Sequence, residues 1–264
     1  MTFTLAFPNI DPVIFAIGPF AVRWYALAFI AGLLIGWKYI TWYVSKPPHA
    51  MVRKNVDDFL VWITLGVVLG GRLGYAGFYN AEFYLSNPLA IFQVWRGGMS
   101  FHGGLIGVIV VILLFCRQRQ LDYWAVGDTV ACAVPIGLFF GRIANFINGE
   151  LFGRVTNVPW AMVFPHGGSL PRHPSQLYEA LLEGLVLFII LYVLSKNERW
   201  RLKTGFLSGV FMIGYAAARG FVEFFRQPDA HIGFLFGNFT MGQLLSVPLV
   251  LLGLYLIFRT PKTV

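Results

Sequence analysis

The chain has 264 residues, 57% of them hydrophobic and only 12% charged. A soluble domain carries about 25% charged residues, so this balance, with a mean hydropathy of +0.68, excludes an ordinary water-soluble globule and points to lipid as the solvent. The net charge of +8 calls for no nucleic acid, because topology and anionic lipid account for basic loops on one side of a membrane.

A membrane-spanning helix needs roughly 20 apolar residues. Seven stretches approach that length: about 20–43, 56–79, 100–116, 124–146, 174–195, 204–225 and 239–258. The third is short and glycine-rich. Residues 1–19 contain no Lys or Arg, so the first stretch has no positive n-region and reads as a retained helix rather than a signal peptide. Loops 44–55, 116–123 and 195–203, with the tail, hold eleven basic residues; the opposite set, 80–99, 147–173 and 226–238, holds four. The richer side is cytoplasmic. The expectation is an all-α integral membrane protein, a single domain over 1–264, with seven transmembrane helices, the N-terminus out and the C-terminus in. The outer loop 147–173, with Pro159, Pro165 and Pro171, is long enough for a small folded cap.

Small residues recur four apart: Gly66, Gly70 and Gly74; Gly32 and Gly36; Gly103 and Gly107; Gly205 and Gly209. Such rows let helix backbones approach closely, and packing is the favoured reading. Gly70-Gly71-Arg72-Leu73-Gly74 lies inside an apolar helix and is no dinucleotide fingerprint. Cys116 and Cys132 lack metal-ligand spacing and read as packing residues in the cytoplasmic half. No ligand cluster for a metal or organic cofactor is present, so none is expected.

Five basic residues fall within the spans: Arg23, Lys38, Arg72, Arg142 and Arg219. Arg23 and Lys38 lie near helix ends and can snorkel. An arginine at the bilayer centre costs at least about 2.5–3.5 kcal/mol, and such residues usually face a bundle interior. Arg72, Arg142 and Arg219 fall in the outer halves of their spans, with Tyr25, Tyr75, His102, Asn145, Glu179, Glu183, Tyr215 and Glu223. Asp128 is the main exception. A polar cluster at one depth reads as a one-sided pocket for an anionic headgroup. Tyr215, Arg219 and Glu223 share a helix face at i, i+4, i+8, as do Glu179 and Glu183. The plain reading of Arg219 and Arg226 is ion pairing with Glu223; Glu179 and Glu183 would balance the arginines. Ser100 is a plausible N-cap, and a helix N-terminus there favours an anion near His102. A histidine beside an anion site is a candidate general base.

Three other readings stand beside a lipid enzyme with an anionic-headgroup pocket. A transporter or flippase needs polar residues at both depths, and few lie deep beyond Asp128 and Lys38. An acyltransferase or phosphatase would want a His-Asp or multi-His motif. A structural scaffold leaves three mid-span arginines without a reason.

The segment Gly141-Arg-Ile-Ala-Asn-Phe-Ile-Asn-Gly-Glu-Leu-Phe-Gly153 resembles the signature of the prolipoprotein diacylglyceryl transferase family. Further blocks match in the same order. They are Asp11-Pro12 with Trp24-Tyr25, Gly70 to Tyr75, Gly97-Gly-Met-Ser-Phe-His-Gly-Gly104, Arg172-His-Pro-Ser-Gln-Leu-Tyr-Glu179, Arg219 with Glu223-Phe-Phe-Arg-Gln-Pro-Asp229, and Met241-Gly-Gln243. The segment 154–171 is shorter than in some members. The resemblance implies a bacterial inner-membrane enzyme with an active site toward the periplasm. It would move a diacylglyceryl group from phosphatidylglycerol to the lipobox cysteine of a prolipoprotein. It implies His102, Arg142 and Arg219 as catalytic residues. Tyr25, Arg142, Asn145, Glu150, Gly153, Arg219 and Glu223 would bind substrate.

Overall fold

The computed structural model describes residues 5–8, 10–18, 20–227, 235 and 239–259. Pro228 and Asp229 of the Glu223 motif, and Lys262 of the basic tail, lie outside the described residues. The chain divides into two compact units, residues 1–43 with 128–264, and residues 44–127.

The protein is mostly helical. Among the described residues six helices are long and apolar enough to cross a membrane. They are α1 (Trp24–Val44), α2 (Arg53–Phe78), α4 (Phe101–Arg119), α5 (Tyr123–Ile147), α6 (Ser175–Lys196) and α9 (Met241–Phe258). Between them lie the short α3 (Ala81–Ser86) and α7 (Glu198–Leu202), and the apolar α8 (Phe206–Val222). Four expectations change in detail. The glycine-rich third stretch is a full 19-residue helix, whereas the sixth, α8, has 17 residues. Gly205, at φ +90°, opens α8, so this glycine serves a helix start rather than a packing row. Residues 20–23 are not helical either: β1 (Val13–Ile17) and β2 (Phe20–Arg23) pair antiparallel about Gly18, at φ +58°. The β-branched run before Gly18 favours that hairpin over an earlier helix start.

In the unit 44–127, α2 and α4 meet along their glycine rows. A methyl group added to Gly70 would sit 2.8 Å from Gly107 Cα, and one on Gly74 would sit 2.6 Å from Gly103 Cα. Only bare backbone permits that approach, which is the packing role expected of the rows. Ser100 caps α4 by accepting from Gly103 N at 3.2 Å.

The loop between α2 and α4 is tied to Arg72, which is buried at 4% exposure. Its guanidinium donates to five backbone carbonyls: Ala90 (2.7 Å), Ile91 (2.8 Å), Gln93 (3.0 Å), Gly97 (2.5 Å) and Gly98 (3.2 Å). That matches the five N–H donors an arginine has. The Tyr84 ring lies 5.1 Å from the same group.

In the other unit, Gly32 of α1 faces Gly137 of α5 and Gly209 of α8 faces Gly253 of α9. Asp128 of α5 caps α8 from outside that helix. Its carboxylate accepts from Gly205 N (2.8 Å), Ser208 N (2.7 Å) and Ser208 Oγ (2.6 Å). A carboxylate at a helix N-terminus is favoured by the unpaired N–H groups there, so the lone deep acid has a structural occupation. Helix α9 begins with a reciprocal capping box between Thr240 and Gln243, which gives Gln243 of the Met241 motif its role. Cys116 and Cys132 are buried free thiols.

Candidate active site

The signature segment ends α5 and turns into a folded loop. Gly149 and Leu151 both take positive φ, +66° and +57°. The chain reverses there and presents the Glu150 and Leu151 carbonyls to the start of α6. Gln176 Nε2 donates to Glu150 O at 2.5 Å and Ser175 Oγ to Leu151 O at 3.1 Å. Both Ser175 and Gln176 are fully buried, so the Ser-Gln pair of the Arg172 motif is a clasp on the signature turn. The same turn is tied back to α5, where Asn145 Nδ2 donates to Glu150 Oε1 at 2.7 Å.

Gly153 stands where two backbones converge. Its N–H donates to His173 O at 2.8 Å, and an added Cβ would lie 2.5 Å from Phe225 O and 2.8 Å from His173 O. The absence of a side chain is what lets Arg154 N reach Phe225 O at 2.8 Å. The rest of the loop is folded around buried Ala161 and Phe164. Arg172 is fastened there through Gly167 O at 2.8 Å.

The mid-span charges gather in one network. Glu179 on α6 is wholly buried and touches three arginines: Arg142 Nε at 3.3 Å, Arg219 Nη1 in the shortest contact, and Arg226 Nε at 3.9 Å. Glu183, also buried, meets Arg142 Nη2 at 3.4 Å and Arg219 Nη1 at 3.9 Å. Glu223 closes the group, 2.6 Å from Arg219 Nη2 and 3.6 Å from Arg226 Nη1. Three guanidiniums thus face three carboxylates. An isolated charge of either sign would be prohibitive in this setting. The expectation that Glu179 and Glu183 balance the arginines holds, and so does the Arg219–Glu223 pair.

The carboxylates lie deeper than the guanidiniums. Glu179 and Glu183 side chains are 0% exposed, while Arg142 retains 18% and Arg219 11%. The acids are thus the more deeply buried partners, and the two arginines keep some side-chain exposure. Gly242 of the Met241 motif makes room for this: a Cβ there would lie 2.8 Å from Glu223 Cδ and 3.1 Å from Arg219 Nε.

Of the residues singled out in sequence, Arg142, Arg219 and Glu223 join one network, and Asn145 with Glu150 form a pair one turn further along α5. Tyr25 is 49% exposed in the first turn of α1. The neighbouring Trp24 is anchored through Nε1 to Asp11 O at 3.1 Å, which explains the Asp11 and Trp24 blocks together. His102 is exposed, in the first turn of α4, and belongs to the other compact unit. Arg72 does not join the network: its donors are spent on carbonyls of its own unit. Sequence reasoning passed over Gly242, Ser175 and Gln176, whose signal was only their place inside the matching blocks.

His173 is held by Tyr178. The Tyr178 hydroxyl oxygen accepts from Trp160 Nε1 at 2.6 Å and lies 3.0 Å from His173 Nδ1. Burial holds the His173 pKa below its ordinary 6.5, because desolvation disfavours the charged imidazolium.

Helices able to cross a membrane, with a buried arginine–glutamate network that includes Arg142 of the signature helix, define an integral membrane protein with a charged cluster inside its spans. The profile of the prolipoprotein diacylglyceryl transferase family matches residues 12–259. A phosphatidylglycerol–prolipoprotein diacylglyceryl transferase of Paramagnetospirillum magneticum is 64% identical over 258 residues, covering 97% of this chain and 96% of that one. The protein of the same name from Rhodospirillum rubrum is 61% identical, covering 96% and 93%. The one from Brucella anthropi is 54% identical, covering 98% and 95%. This chain belongs to the prolipoprotein diacylglyceryl transferase family.

Proposed function

We propose that the protein transfers the diacylglyceryl group of phosphatidylglycerol to the lipobox cysteine thiol of a prolipoprotein, the first step of bacterial lipoprotein maturation. The observation that carries the site assignment is the pair Arg142 and Arg219, partly exposed and held by the fully buried Glu179 and Glu183. A guanidinium matches phosphate oxygens bidentately and stays charged at every working pH.

The nucleophile belongs to the substrate. The acceptor thiol loses its proton, because the thiolate is the reactive form. Sulfur attacks the terminal glycerol carbon of the diacylglyceryl group, the C–O bond to phosphorus breaks, and the electron pair leaves on the phosphate oxygen. The products are a thioether and glycerol phosphate. Negative charge builds on the departing phosphate, where Arg142 and Arg219 stabilise it without reorganising. His102 is the group we assign to the thiol proton. Tyr25, Asn145, Glu150, Gly153 and Glu223 are assigned to substrate binding, the last by aligning Arg219. The site needs no metal or organic cofactor for this chemistry.

The same proposal includes seven spans, with α8 as the sixth; 17 residues lie at the lower limit for crossing. The basic-loop asymmetry supports an N-terminus outside and a C-terminus inside, and an active site toward the periplasm of a bacterial inner membrane. The folded loop 147–173 would then be a small periplasmic cap.

The test is transfer by purified protein in detergent, with phosphatidylglycerol and a lipobox peptide. A peptide mass gain of one diacylglyceryl group with release of glycerol phosphate supports the reaction. Arg142→Ala should be inactive and His102→Ala strongly slowed. The double variant Cys116→Ser, Cys132→Ser should keep its activity, since both thiols are buried. Loss of transfer in a folded double variant would overturn the substrate-nucleophile scheme.

A further inference from the structure

Helix α6 is not a plain α-helix. It runs as α over Ser175–Glu179, widens to a π-turn over Ala180–Val186, and returns to α from Leu187. Leu187 N–H reaches back five residues to Leu182 O. Such turns are rare, and they recur at functional sites because their looser geometry must be offset by something gained. Here the turn contains Glu183 and begins one residue after Glu179, the two buried acids of the arginine network.

Four residues of α-helix turn through about 400°, so in a regular helix Glu183 would point about 40° past Glu179. The wider turn advances less per residue, so it gives Glu183 a direction that a regular helix would not. Both acids then reach Arg142 on α5 and Arg219 on α8.

The next residue completes the fit. A Cβ on Gly184 would lie 2.7 Å from Phe139 Cβ, 2.8 Å from Phe139 Cα and 3.1 Å from Phe139 N. Phe139 is three residues before Arg142 on α5. Two of those atoms are backbone, so a methyl group at 184 must push α5 and the π-turn apart. The displacement would fall within one helical turn of Arg142, whose contacts to Glu179 and Glu183 are already 3.3 and 3.4 Å.

We infer that the π-turn of α6, seated on α5 through Gly184, is a positioning device for the transfer reaction: it sets Glu183, and through Glu183 the angle at which Arg142 presents its guanidinium. This rests on the proposed role of Arg142 at phosphate. Gly184 is a positioning residue and touches no substrate.

Two variants test it. Deletion of Leu185, an exposed residue inside the wide turn, restores regular helical register without removing an ion-pairing side chain. Gly184→Ala keeps the register and spoils the seat. Gly77→Ala is the control, because a Cβ there meets nothing within 4 Å. Each is purified, its melting temperature is taken, and kcat and KM for phosphatidylglycerol are measured. Misplacing a positioned group by about 1 Å can cost about 100-fold in rate. The expected result is a fall in kcat of about 10- to 100-fold in both variants, with KM for phosphatidylglycerol changed less than kcat. The deletion should melt no lower than wild type, since it removes an unfavourable turn. A deletion variant with wild-type kcat overturns the inference, and so does a fall in melting temperature with kcat per folded molecule intact. If the deletion does not fold, Gly184→Ala decides by the same criteria. If neither folds, the turn serves the fold alone and the inference fails. Absence of transfer by the wild type defeats the underlying reading instead, which separates the two failures.

Discussion

Arg72 and Arg219 are both buried arginines on apolar helices, and their partners differ in kind. Arg72 gives its five N–H groups to five neutral carbonyls in one loop. Arg219 is held by three carboxylates contributed by α6 and by the end of its own helix. The carbonyl cage spends every donor and fixes a backbone. The carboxylate network fixes a charge and leaves Arg219 partly exposed, which suits the anion-binding role proposed for it. Burial of an arginine in a membrane helix therefore does not by itself mark a site; the chemistry of its partners does.

The comparison is broken most severely by Arg219→Lys. The charge is kept but the planar fork is lost, so transfer should fall by about 100-fold or more, a loss typical of removing oriented stabilisation of a leaving charge. Near-normal turnover of the folded variant would remove the bidentate argument. Next in size is Arg72→Lys. A lysine supplies three donors where five are used, leaving buried carbonyls unsatisfied at about 1–3 kcal/mol each. The melting temperature should drop while the KM for phosphatidylglycerol of the folded fraction stays close to wild type. A selective rise in that KM would bring Arg72 into the substrate site after all. The smallest effect concerns neither arginine. His173 is held below its ordinary pKa of 6.5 by burial, so the unfolded chain binds its proton more readily. Stability should be level above pH 6.5 and decline as pH falls below it, and His173→Gln should make the decline shallower. Thermal melts from pH 8 to 5 measure this, and an unchanged slope in the variant would exclude His173 as its source.

Much of the network was legible in sequence because it obeys helical spacing. Arg219 and Glu223 are four apart, and opposite charges in apolar helices must find one another; Glu179 and Glu183 are also four apart, but the π-turn between them sets how they face. The glycine rows of α2 and α4 were legible for the same reason. What stayed hidden depends on geometry that residue type does not encode. The cage around Arg72 is made of main-chain oxygens 18 to 26 positions away, and a carbonyl leaves no mark on a sequence. The π-turn has no composition of its own: Ala180 to Val186 would read as ordinary helix. Gly205 fits a packing row by spacing, yet its positive φ and the Asp128 cap assign it to a helix start. The hairpin before α1 was absorbed into an apolar stretch that hydropathy does not divide.

The placement of Glu179 among three arginines also bears on how the protein is made. Helices leave the ribosome in chain order, so Arg142 on α5 is synthesised before either of its acids, and both acids precede Arg219 and Arg226. A nascent chain that has reached α5 carries an uncompensated cation. One that has completed α6 carries an excess anion, Arg219 brings the running charge to zero, and Glu223 with Arg226 then adds one further opposed pair. Each helix in turn enters the bilayer with a charge that the next one answers. A chain truncated between α6 and α8 keeps the acids without Arg219, so it should be less stable in the membrane than the full chain.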